Sequence, residues 1–298
     1  MITLSNSNFT LNEPTAVTLG NFDGFHQGHR TLINEIKSSP YKTVIFTFSP
    51  HPVSFFSKVG SFKTLYTEDE KRQIAETLGV DFYIPYPFTR DFASLSPQEF
   101  IRLLKAKTNC RLLVIGADYS FGKNKSGSAK DLKALGENMG IEVKILPKIQ
   151  YMGEDISSTK IRSCLKDGDV KTAAVLLSSP YFIASKVEKG LHRGTGMGFP
   201  TANQVIPDGK FLPKDGVYKT TAIIYGNPCP SLTNIGKNPT FHNTSRTVET
   251  YILDQNKMLY GTEIKIEFNG FIRNEIKFPN KAALQAQIQR DIEAAQKQ

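Results

Sequence analysis

The segment of residues 20–30 places His26 and His29 around Gly28, directly after the apolar run of residues 16–19. Glycines let a backbone approach a ligand closely, and a helix start offers unpaired N–H groups and a positive dipole end. Histidines one turn apart can reach the same phosphoryl group in neutral or protonated form. The pattern therefore predicts a strand, a phosphate-holding loop and a helix start, and it points to nucleotide chemistry.

A second segment with anion-binding character covers residues 156–162. Its hydroxyl and cationic side chains are Ser157, Ser158, Thr159, Lys160 and Arg162. Hydroxyls at a helix start, followed by cations in the first turns, form an anion cradle. Taken alone, the segment is more typical of a well-capped helix with a cationic surface. In combination with the first segment, it predicts a second binding site for the pyrophosphate that is released when an α-phosphate is attacked.

Composition sets broad limits on the function. The chain has 298 residues, which favours two domains, and a net charge of +9. The excess is spread as +4 before about residue 182 and +5 after it, without a basic tail, so small anionic ligands fit better than nucleic acid. Three separated cysteines predict reduced thiols. Without a signal peptide or an apolar run of membrane-span length, we expect a soluble, cytoplasmic protein.

The first half of the chain alternates predicted strands and helices. The predicted strands are residues 16–19, 43–48, 82–84, 112–115 and 141–146. Capping boxes at Thr67–Glu70 and Ser96–Glu99 predict two helix starts. Continuously apolar strands between helices indicate a mostly parallel sheet, which binds ligands at the carboxyl ends of its strands.

The second half has a different pattern. Residues 187, 217–224, 248–253 and 264–268 read as strands between Gly/Pro/Asn turns, without helices between them. A terminal helix is predicted from the Asn280 cap and from apolar residues at every fourth position, Leu284, Ile288 and Ile292. We therefore expect an antiparallel β-barrel with a terminal helix, and domains of residues 1–182 and 183–298.

The ordered motifs resemble one known family. In the first half they are Gly-Asn-Phe-Asp-Gly-x-His-x-Gly-His, Phe-Ser-Pro-His-Pro at residues 48–52, Gly-Ala-Asp-Tyr-Ser-Phe-Gly at 116–122, and Ile-Ser-Ser-Thr-Lys-Ile-Arg. In the second half they include Gly-Phe-Pro-Thr-Ala-Asn at 198–203, Asn-Ile-Gly at 234–236, Glu249, and Arg-x-Glu-x-Lys-Phe at 273–278. From about residue 15 to 295, the chain resembles the bacterial bifunctional riboflavin kinase/FAD synthetases.

For the first half, the resemblance implies a Rossmann-like nucleotidyltransferase domain that transfers AMP from ATP to FMN and releases pyrophosphate. His26, His29 and Arg162 would be the catalytic residues. The residues that would bind the nucleotide or flavin are Asn21, Asp23, Gly24, Gly28, His51, Asp118, Phe121, Ser157, Ser158 and Thr159. Asn21 and Asp23 would shape the turn or help to bind nucleotide and metal. A packed loop histidine is the simpler interpretation of His51 taken alone.

For the second half, the resemblance implies a riboflavin kinase barrel that uses ATP and Mg²⁺. Glu249 matches the base that activates the riboflavin alcohol, a poor nucleophile, although an exposed glutamate on a strand is the simpler interpretation without the family. Thr201 and Asn203 match the residues that hold Mg²⁺, and turn chemistry after Pro200 is their alternative. Gly198 and Arg273 match cofactor-binding positions. The small-molecule partners would be ATP, FMN and riboflavin.

Two departures from the family pattern fall in the kinase half, where Thr195 replaces an arginine and Gln255 replaces an aromatic residue. They leave open a monofunctional FMN adenylyltransferase with a degenerate kinase module. A more distant alternative is a basic nucleic-acid-binding regulatory protein. The diffuse charge, the absence of tryptophan and the lack of a basic stripe with interleaved aromatics argue against it.

Overall fold

The computed structural model describes residues 1–58, 60–188, 201–237, 246–253 and 259–297. The chain divides into two compact units, Met1–Ser158 and Thr159–Gln298. The first unit has an α/β architecture and the second has a β-barrel with helices. This agrees with the fold class expected from the sequence.

The first unit alternates strands and helices. In chain order its elements are β1 (Ile2–Thr3), β2 (Thr15–Leu19), α1 (Gln27–Lys37), β3 (Lys42–Ser49), α2 (Pro52–Phe56), α3 (Glu68–Thr77), β4 (Phe82–Pro87), α4 (Arg90–Ala93), α5 (Pro97–Thr108), β5 (Cys110–Gly116), β6 (Ser120–Phe121), β7 (Gly127–Ser128), α6 (Ala129–Glu137), β8 (Glu142–Leu146), β9 (Gln150–Tyr151) and β10 (Glu154–Asp155). All five predicted strands are present.

Six strands form one parallel sheet in the order β1-β4-β3-β2-β5-β8. From β2 the chain proceeds outward through β3 and β4, and β5 then returns to the other side of β2. The strand order therefore reverses between β2 and β5, and ligands of such sheets bind outside the carboxyl ends of the strands at this point. The loop after β2 carries Asn21, Asp23 and Gly24, and the loop after β5 carries Asp118, which are among the predicted site residues.

Both faces of the sheet are covered, as its continuously apolar strands require. On one face, Ala16 of β2 packs with Leu32 and Ile36 of α1. On the other face, the neighbouring Val17 belongs to the larger core that includes α5 and α6. The side chains of β2 thus alternate between two cores, and the strand that leads into the histidine loop is held from both sides.

The helix starts follow the predicted capping. Thr67 and Glu70 form a capping box at α3, and Ser96 and Glu99 form another at α5. In each box the hydroxyl accepts a hydrogen bond from the third helical N–H, and the glutamate accepts one from the cap N–H. Both predictions of a helix start are confirmed.

The second unit contains the barrel and most of α7. In chain order the elements are α7 (Ser158–Asp167), α8 (Val170–Leu177), β11 (Tyr181–Glu188), β12 (Thr201–Gln204), β13 (Gly216–Ile224), β14 (Asn227–Lys237), β15 (Arg246–Ile252), β16 (Glu263–Arg273) and α9 (Lys281–Lys297). None of the described helices has the length and apolar composition needed to cross a membrane.

Six antiparallel strands close the barrel in the order β11-β12-β15-β14-β13-β16. Alternate residues point inward, and a chain of buried hydroxyl groups crosses the interior. Thr220 Oγ1 lies 2.8 Å from Ser231 Oγ and 2.8 Å from Thr233 Oγ1, and Thr233 Oγ1 lies 2.9 Å from Thr250 Oγ1. These mutual hydrogen bonds satisfy polar groups that would otherwise be costly to bury.

The helices α7 and α8 fold with the barrel. The Lys214 N–H donates to the Leu165 carbonyl at 2.8 Å, and α8 packs against β11 and β16. The compact units therefore divide after Ser158, and the domain boundary expected after residue 182 stays a prediction.

The terminal helix α9 begins after its predicted cap, because Asn280 Oδ1 accepts a hydrogen bond from the Ala283 N–H at 2.9 Å. The Arg273 guanidinium at the end of β16 donates to both carboxylate oxygens of Asp291 of α9, from Nε to Oδ1 at 2.9 Å, from Nε to Oδ2 at 3.1 Å and from Nη2 to Oδ2 at 2.7 Å. Asp291 is only 3% exposed, so this paired geometry fastens the helix to the barrel.

We predict that Gly216→Ala destabilises the barrel by about 3 kcal/mol. Gly216 has a φ of +150°, and a Cβ there would lie 2.5 Å from the Arg273 carbonyl oxygen. Because that atom belongs to the backbone of a paired strand, it cannot move aside. Urea unfolding, followed by circular dichroism, measures the loss.

Gly226→Ala is the matched control, because Gly226 also has a positive φ, +81°, but a Cβ there meets open space. We expect a cost of about 1 kcal/mol from backbone strain alone. Equal losses in the two variants would show that the contact with Arg273 is unimportant.

Candidate functional site

The loop after β2 adopts an unusual backbone that turns the chain into α1. Phe22, Gly24 and Phe25 all have positive φ, at 45°, 107° and 47°. The left-handed conformation is costly for a phenylalanine, so it has to be compensated by the surroundings. Both phenylalanine side chains are fully buried, with ring centroids 5.5 Å apart, and this burial holds the loop in place.

The loop brings the two predicted histidines together. The rings of His26 and His29 are stacked, with centroids 3.7 Å apart and planes inclined by 20°. In each ring Nδ1 is buried and has no hydrogen-bond partner among the described residues. A Cβ on Gly28 would lie 3.3 Å from the His26 ring, so a larger residue would press on this ring. Buried ring nitrogens without a partner call for an explanation, and a ligand site at the histidine pair is the one that the sequence predicts.

Burial controls the charge of the pair. Desolvation lowers the pKa of His26 to about 4, against the opposing effects of Asp23 and Asp118. Desolvation also lowers the pKa of His29 well below its usual value, and His26 and Lys71 lower it further. Both rings are therefore neutral at physiological pH, and each has one N–H donor and one acceptor nitrogen.

Three other segments anchor the loop. Asp23 is 2% exposed, and its Oδ1 accepts a hydrogen bond from the Leu65 N–H at 2.7 Å. The Asn21 carbonyl accepts two hydrogen bonds, from Thr47 Oγ1 at 3.2 Å and from Lys71 Nζ at 3.1 Å. The Asp23 side chain therefore shapes the turn, whereas Asn21 is held by its main chain. Binding of nucleotide or metal by either residue stays a prediction.

The loop after β5 contributes Asp118, which is close enough to His26 to raise its pKa against the effect of burial. Its carboxylate is largely exposed and lies 3.5 Å from Lys148 Nζ. Phe121 is buried and packs against Phe100 and Tyr119. The carboxyl ends of β2 and β5 thus meet, as the reversal of strand order requires.

His51 has packing partners of its own. Its Nδ1 accepts a hydrogen bond from the Val53 N–H at 3.1 Å and so caps α2, and its ring stacks on Phe62 at 4.8 Å. These contacts agree with the simpler interpretation of His51 as a packed loop histidine, and its predicted role in binding stays a prediction.

The start of α7 supplies the second predicted segment. The Ser158 hydroxyl donates to the carbonyl of Asp23 and so joins the helix start to the histidine loop within the first unit. Ser157 precedes the helix, and Thr159 and Arg162 follow on α7 in the second unit. The phosphate-binding roles of Ser157, Thr159 and Arg162 stay predictions.

On the barrel, the strand register aligns the predicted kinase residues. Glu249 of β15 pairs with Asn203 of β12 on one side and with Asn234 of β14 on the other. Directly opposed residues point to the same face, so these three half-buried side chains form a row on the outside of the barrel. Thr201 lies two residues before Asn203 on the same face.

The remaining predicted positions do not join this row. Arg273 is committed to Asp291, and its Nη1 donates to the Asn274 carbonyl at 3.0 Å, so binding of a cofactor by this residue stays a prediction. Gly198, Thr195 and Gln255 lie outside the described residues. Within the described ranges, no cluster of three His, Cys, Asp or Glu residues is suited to a metal ion.

Two family models match the chain in the same order as the two units. The FAD synthetase model matches residues 9–160, and the riboflavin kinase model matches residues 177–298. The chain belongs to the bifunctional riboflavin kinase/FMN adenylyltransferase family.

Curated members of this family cover nearly the whole chain. The Bacillus subtilis protein is 35% identical, with 94% of this chain and 91% of that protein covered. The Listeria monocytogenes protein is 34% identical, with 92% and 89% covered, and the Escherichia coli K12 protein is 33% identical, with 94% and 91% covered. Each bears the name bifunctional riboflavin kinase/FMN adenylyltransferase.

A solved structure from Streptococcus pneumoniae matches 99% of this chain with a TM-score of 0.90 and 32% sequence identity, and 98% of that chain is covered. It is described as a macrolide-efflux protein, a description that differs from the names of the curated family members. A fold similar to that of this chain is therefore observed in a crystal structure over essentially the full length.

Sequence reasoning missed Lys71 and Asn234, which contact or adjoin the predicted site residues. Lys71 was detectable in principle, because it is a lysine on the face of α3 that also buries Ile74 and Ala75. A charged residue on an apolar helix face suggests a specific partner. Asn234 stands in the Asn-Ile-Gly motif at residues 234–236, but its place in the site was not predicted, since its position opposite Glu249 depends on a long-range register.

We predict that acid weakens the first unit through its histidines. Below about pH 6.5 the unfolded chain protonates a histidine that the folded chain keeps neutral, so the free energy of unfolding falls as the pH decreases. The pKa of His26 is lowered to about 4 in the folded chain. Between pH 6.5 and pH 4, this residue alone should therefore lower the free energy of unfolding by about 3 kcal/mol. Urea unfolding between about pH 7 and pH 4 measures the slope.

His26→Gln removes one of the two buried groups and should reduce this pH dependence, whereas His51→Gln keeps both stacked rings and should preserve it. Histidine ring signals in NMR give an independent readout, with a midpoint near pH 4 expected for His26. A midpoint near the ordinary value would contradict the buried, neutral pair.

Proposed function

We propose that this chain makes FAD in two steps, with one activity in each unit. The first unit transfers AMP from ATP to FMN and releases pyrophosphate, and the barrel phosphorylates riboflavin to FMN with ATP. The observation that carries the first assignment is the stacked pair of His26 and His29 at the carboxyl end of β2. For the second it is the row of Asn203, Glu249 and Asn234.

The adenylyl transfer needs positioning more than proton removal. A phosphate monoester such as FMN has a second pKa near 6, so its attacking oxygen is already ionised near pH 7. That oxygen bonds to the α-phosphorus of ATP, and the bond from the α-phosphorus to the bridging oxygen of the β-phosphate breaks. The first unit accordingly presents two neutral imidazoles and no carboxylate base in its loop beyond Asp23, whose Oδ1 is occupied by Leu65.

His26 and His29 stabilise the charge that develops on the phosphates. In a desolvated site, fixed hydrogen-bond donors are worth more than in water and need no reorganisation during the reaction. The buried Nδ1 atoms have no competing partner among the described residues, so no protein hydrogen bond at these atoms has to break before a ring binds a phosphoryl oxygen or takes up a proton. A bound anion also opposes the desolvation that keeps the rings neutral, and it therefore favours proton uptake by the pair.

The kinase step needs a base, because the riboflavin hydroxyl is a poor nucleophile. Glu249 is half-buried on the outer face of β15, so it can accept the hydroxyl proton and return it to solvent. The oxygen of the alcohol then bonds to the γ-phosphorus of ATP, and ADP leaves. Asn203 and Asn234, directly opposite Glu249, are suited to orient the reacting groups.

The residues beside Glu249 fit Mg²⁺. Thr201 and Asn203 offer a hydroxyl and an amide oxygen on one face of β12, two residues apart. Mg²⁺ prefers oxygen ligands, and it is commonly held by few protein atoms together with substrate phosphates and water. The neutral side chains would leave the charge of the ion available to neutralise the phosphates. We also propose a cytoplasmic location, which is in keeping with three cysteines that form no disulfide bond.

The deciding experiment supplies riboflavin, ATP and Mg²⁺ to the purified chain and, separately, FMN, ATP and Mg²⁺, and follows both flavins by chromatography. We expect FMN and then FAD in the first mixture, and FAD and pyrophosphate in the second. FAD formed only from added FMN would refute the kinase assignment, and no FAD in either mixture would refute adenylyl transfer.

Single substitutions should separate the two activities. We predict that His29→Ala lowers FAD formation by about 10²-fold or more, because it removes a fixed donor from the phosphate site. Glu249→Gln should lower FMN formation by about 10²–10⁴-fold, because the amide cannot accept the proton. In each variant the other activity serves as the internal control, and parallel loss of both activities would contradict separate sites.

A further inference from the structure

Lys71 is a buried lysine that the reaction described so far does not use. It lies in the first turns of α3 and is 2% exposed, on the face that also buries Ile74 and Ala75. Burying an ammonium group is expensive unless it has a specific partner. A role confined to packing would be filled better by an apolar side chain of similar length, so the charge itself requires an explanation.

The principal contact of Lys71 is with the histidine loop. Its Nζ donates to the Asn21 carbonyl at 3.1 Å, across a separation of fifty residues in the chain. Thr47 of β3 donates to the same carbonyl at 3.2 Å. Asn21 directly precedes Phe22, the first residue of the left-handed turn. Two donors from different elements therefore fix the peptide from which the strained loop departs.

The charge of Lys71 is only loosely compensated. Its nearest described carboxylate oxygen, Glu68 Oε2, is 4.0 Å away, at the limit of an ion pair. The other oxygen of Glu68 accepts a hydrogen bond from Tyr83 at 2.5 Å. Because the counter-ion is distant, the positive charge of Lys71 is only weakly neutralised and acts on nearby groups. The phosphate-binding loop is among these nearby groups.

The field of Lys71 reaches the histidine pair. Its positive charge is one of the causes that lower the pKa of His29, together with burial and His26. Groups acting on His26 include Asp23 and Asp118, which raise its pKa. Since both rings are neutral, Lys71 supplies permanent positive charge that the pair itself lacks.

We propose that Lys71 is a positioning residue for adenylyl transfer, which fixes the Asn21 carbonyl and supplies positive charge to the phosphate site at His26 and His29. This inference rests on the proposed FMN adenylyltransferase activity. It assigns to α3, an element outside the recognised motifs, part of the electrostatic stabilisation of the departing pyrophosphate. A permanent charge next to a desolvated site needs no reorganisation during the reaction.

Lys71→Met tests the proposal, because methionine keeps the length and apolar stem of the side chain while it removes the charge and the donor. We expect kcat for FAD formation to fall about 30-fold and KM for ATP to rise, with KM for FMN little changed. Phosphorylation of riboflavin by the same protein and the thermal unfolding midpoint report on folding, and both should stay close to those of the unmodified chain.

Two further variants separate charge from the hydrogen bond. Thr47→Val removes the neutral donor to the same carbonyl, and we expect it to cost less than about threefold, because a charged donor is stronger than a neutral one. Lys71→Arg keeps the charge and should recover a substantial part of the activity lost in Lys71→Met, although its planar group is not equivalent to an ammonium.

The outcomes distinguish this inference from the proposed function. Unchanged kinetics in Lys71→Met, or equal losses in Lys71→Met and Thr47→Val without recovery in Lys71→Arg, would overturn the role of the charge. Joint loss of both activities with a lowered unfolding midpoint would make Lys71 structural. If the unmodified chain forms no FAD from FMN and ATP, the proposed function fails, and this inference fails with it.

Discussion

The first unit depends on keeping two imidazole rings out of water without giving their Nδ1 atoms a partner. Burial makes His26 and His29 neutral, and stacking at 3.7 Å makes a second positive charge on the pair more costly still. A phosphate site built this way has little charge of its own before the substrate arrives. The surrounding residues therefore have to hold the loop rigid and to provide positive electrostatic potential, and the contacts that anchor the loop serve these two purposes.

The histidine loop is held rigid by residues that are distant in the sequence and that contact a few of its peptide groups. The left-handed residues Phe22 and Phe25 are unfavourable by themselves, and their buried rings compensate for this cost. Hydrogen bonds from Thr47, Lys71 and Leu65 fix the loop from three directions. Because these donors belong to β3, α3 and the segment between α2 and α3, the site forms only when the whole unit has folded.

In the barrel, the inward and outward faces of the strands have different roles. The inward-facing Thr250 of β15 joins a chain of hydrogen-bonded hydroxyl groups, whereas the outward Glu249 is half-buried in a row with Asn203 and Asn234. A slip of one residue in the register would exchange the two sets and bury the carboxylate in the barrel. The interior hydrogen bonds thus specify the register that places the outer row.

Local signals in the sequence were sufficient for much of this architecture, whereas long-range placement was not. Capping boxes and apolar runs are encoded within a few residues, so α3, α5 and the central parallel strands could be predicted. The strand β14 contains Pro228 and Pro230, which argue against a strand, yet both lie near the hairpin end of the ladder, where few main-chain donors are needed. The hydrogen bond from Lys71 to the Asn21 carbonyl depends on contacts between segments that are distant in the sequence. The sequence itself shows only a lysine on an apolar helix face. The motif residues predict the type of chemistry at such a site. The charges that modify its electrostatics come from distant parts of the chain, and they can be identified only in the folded structure.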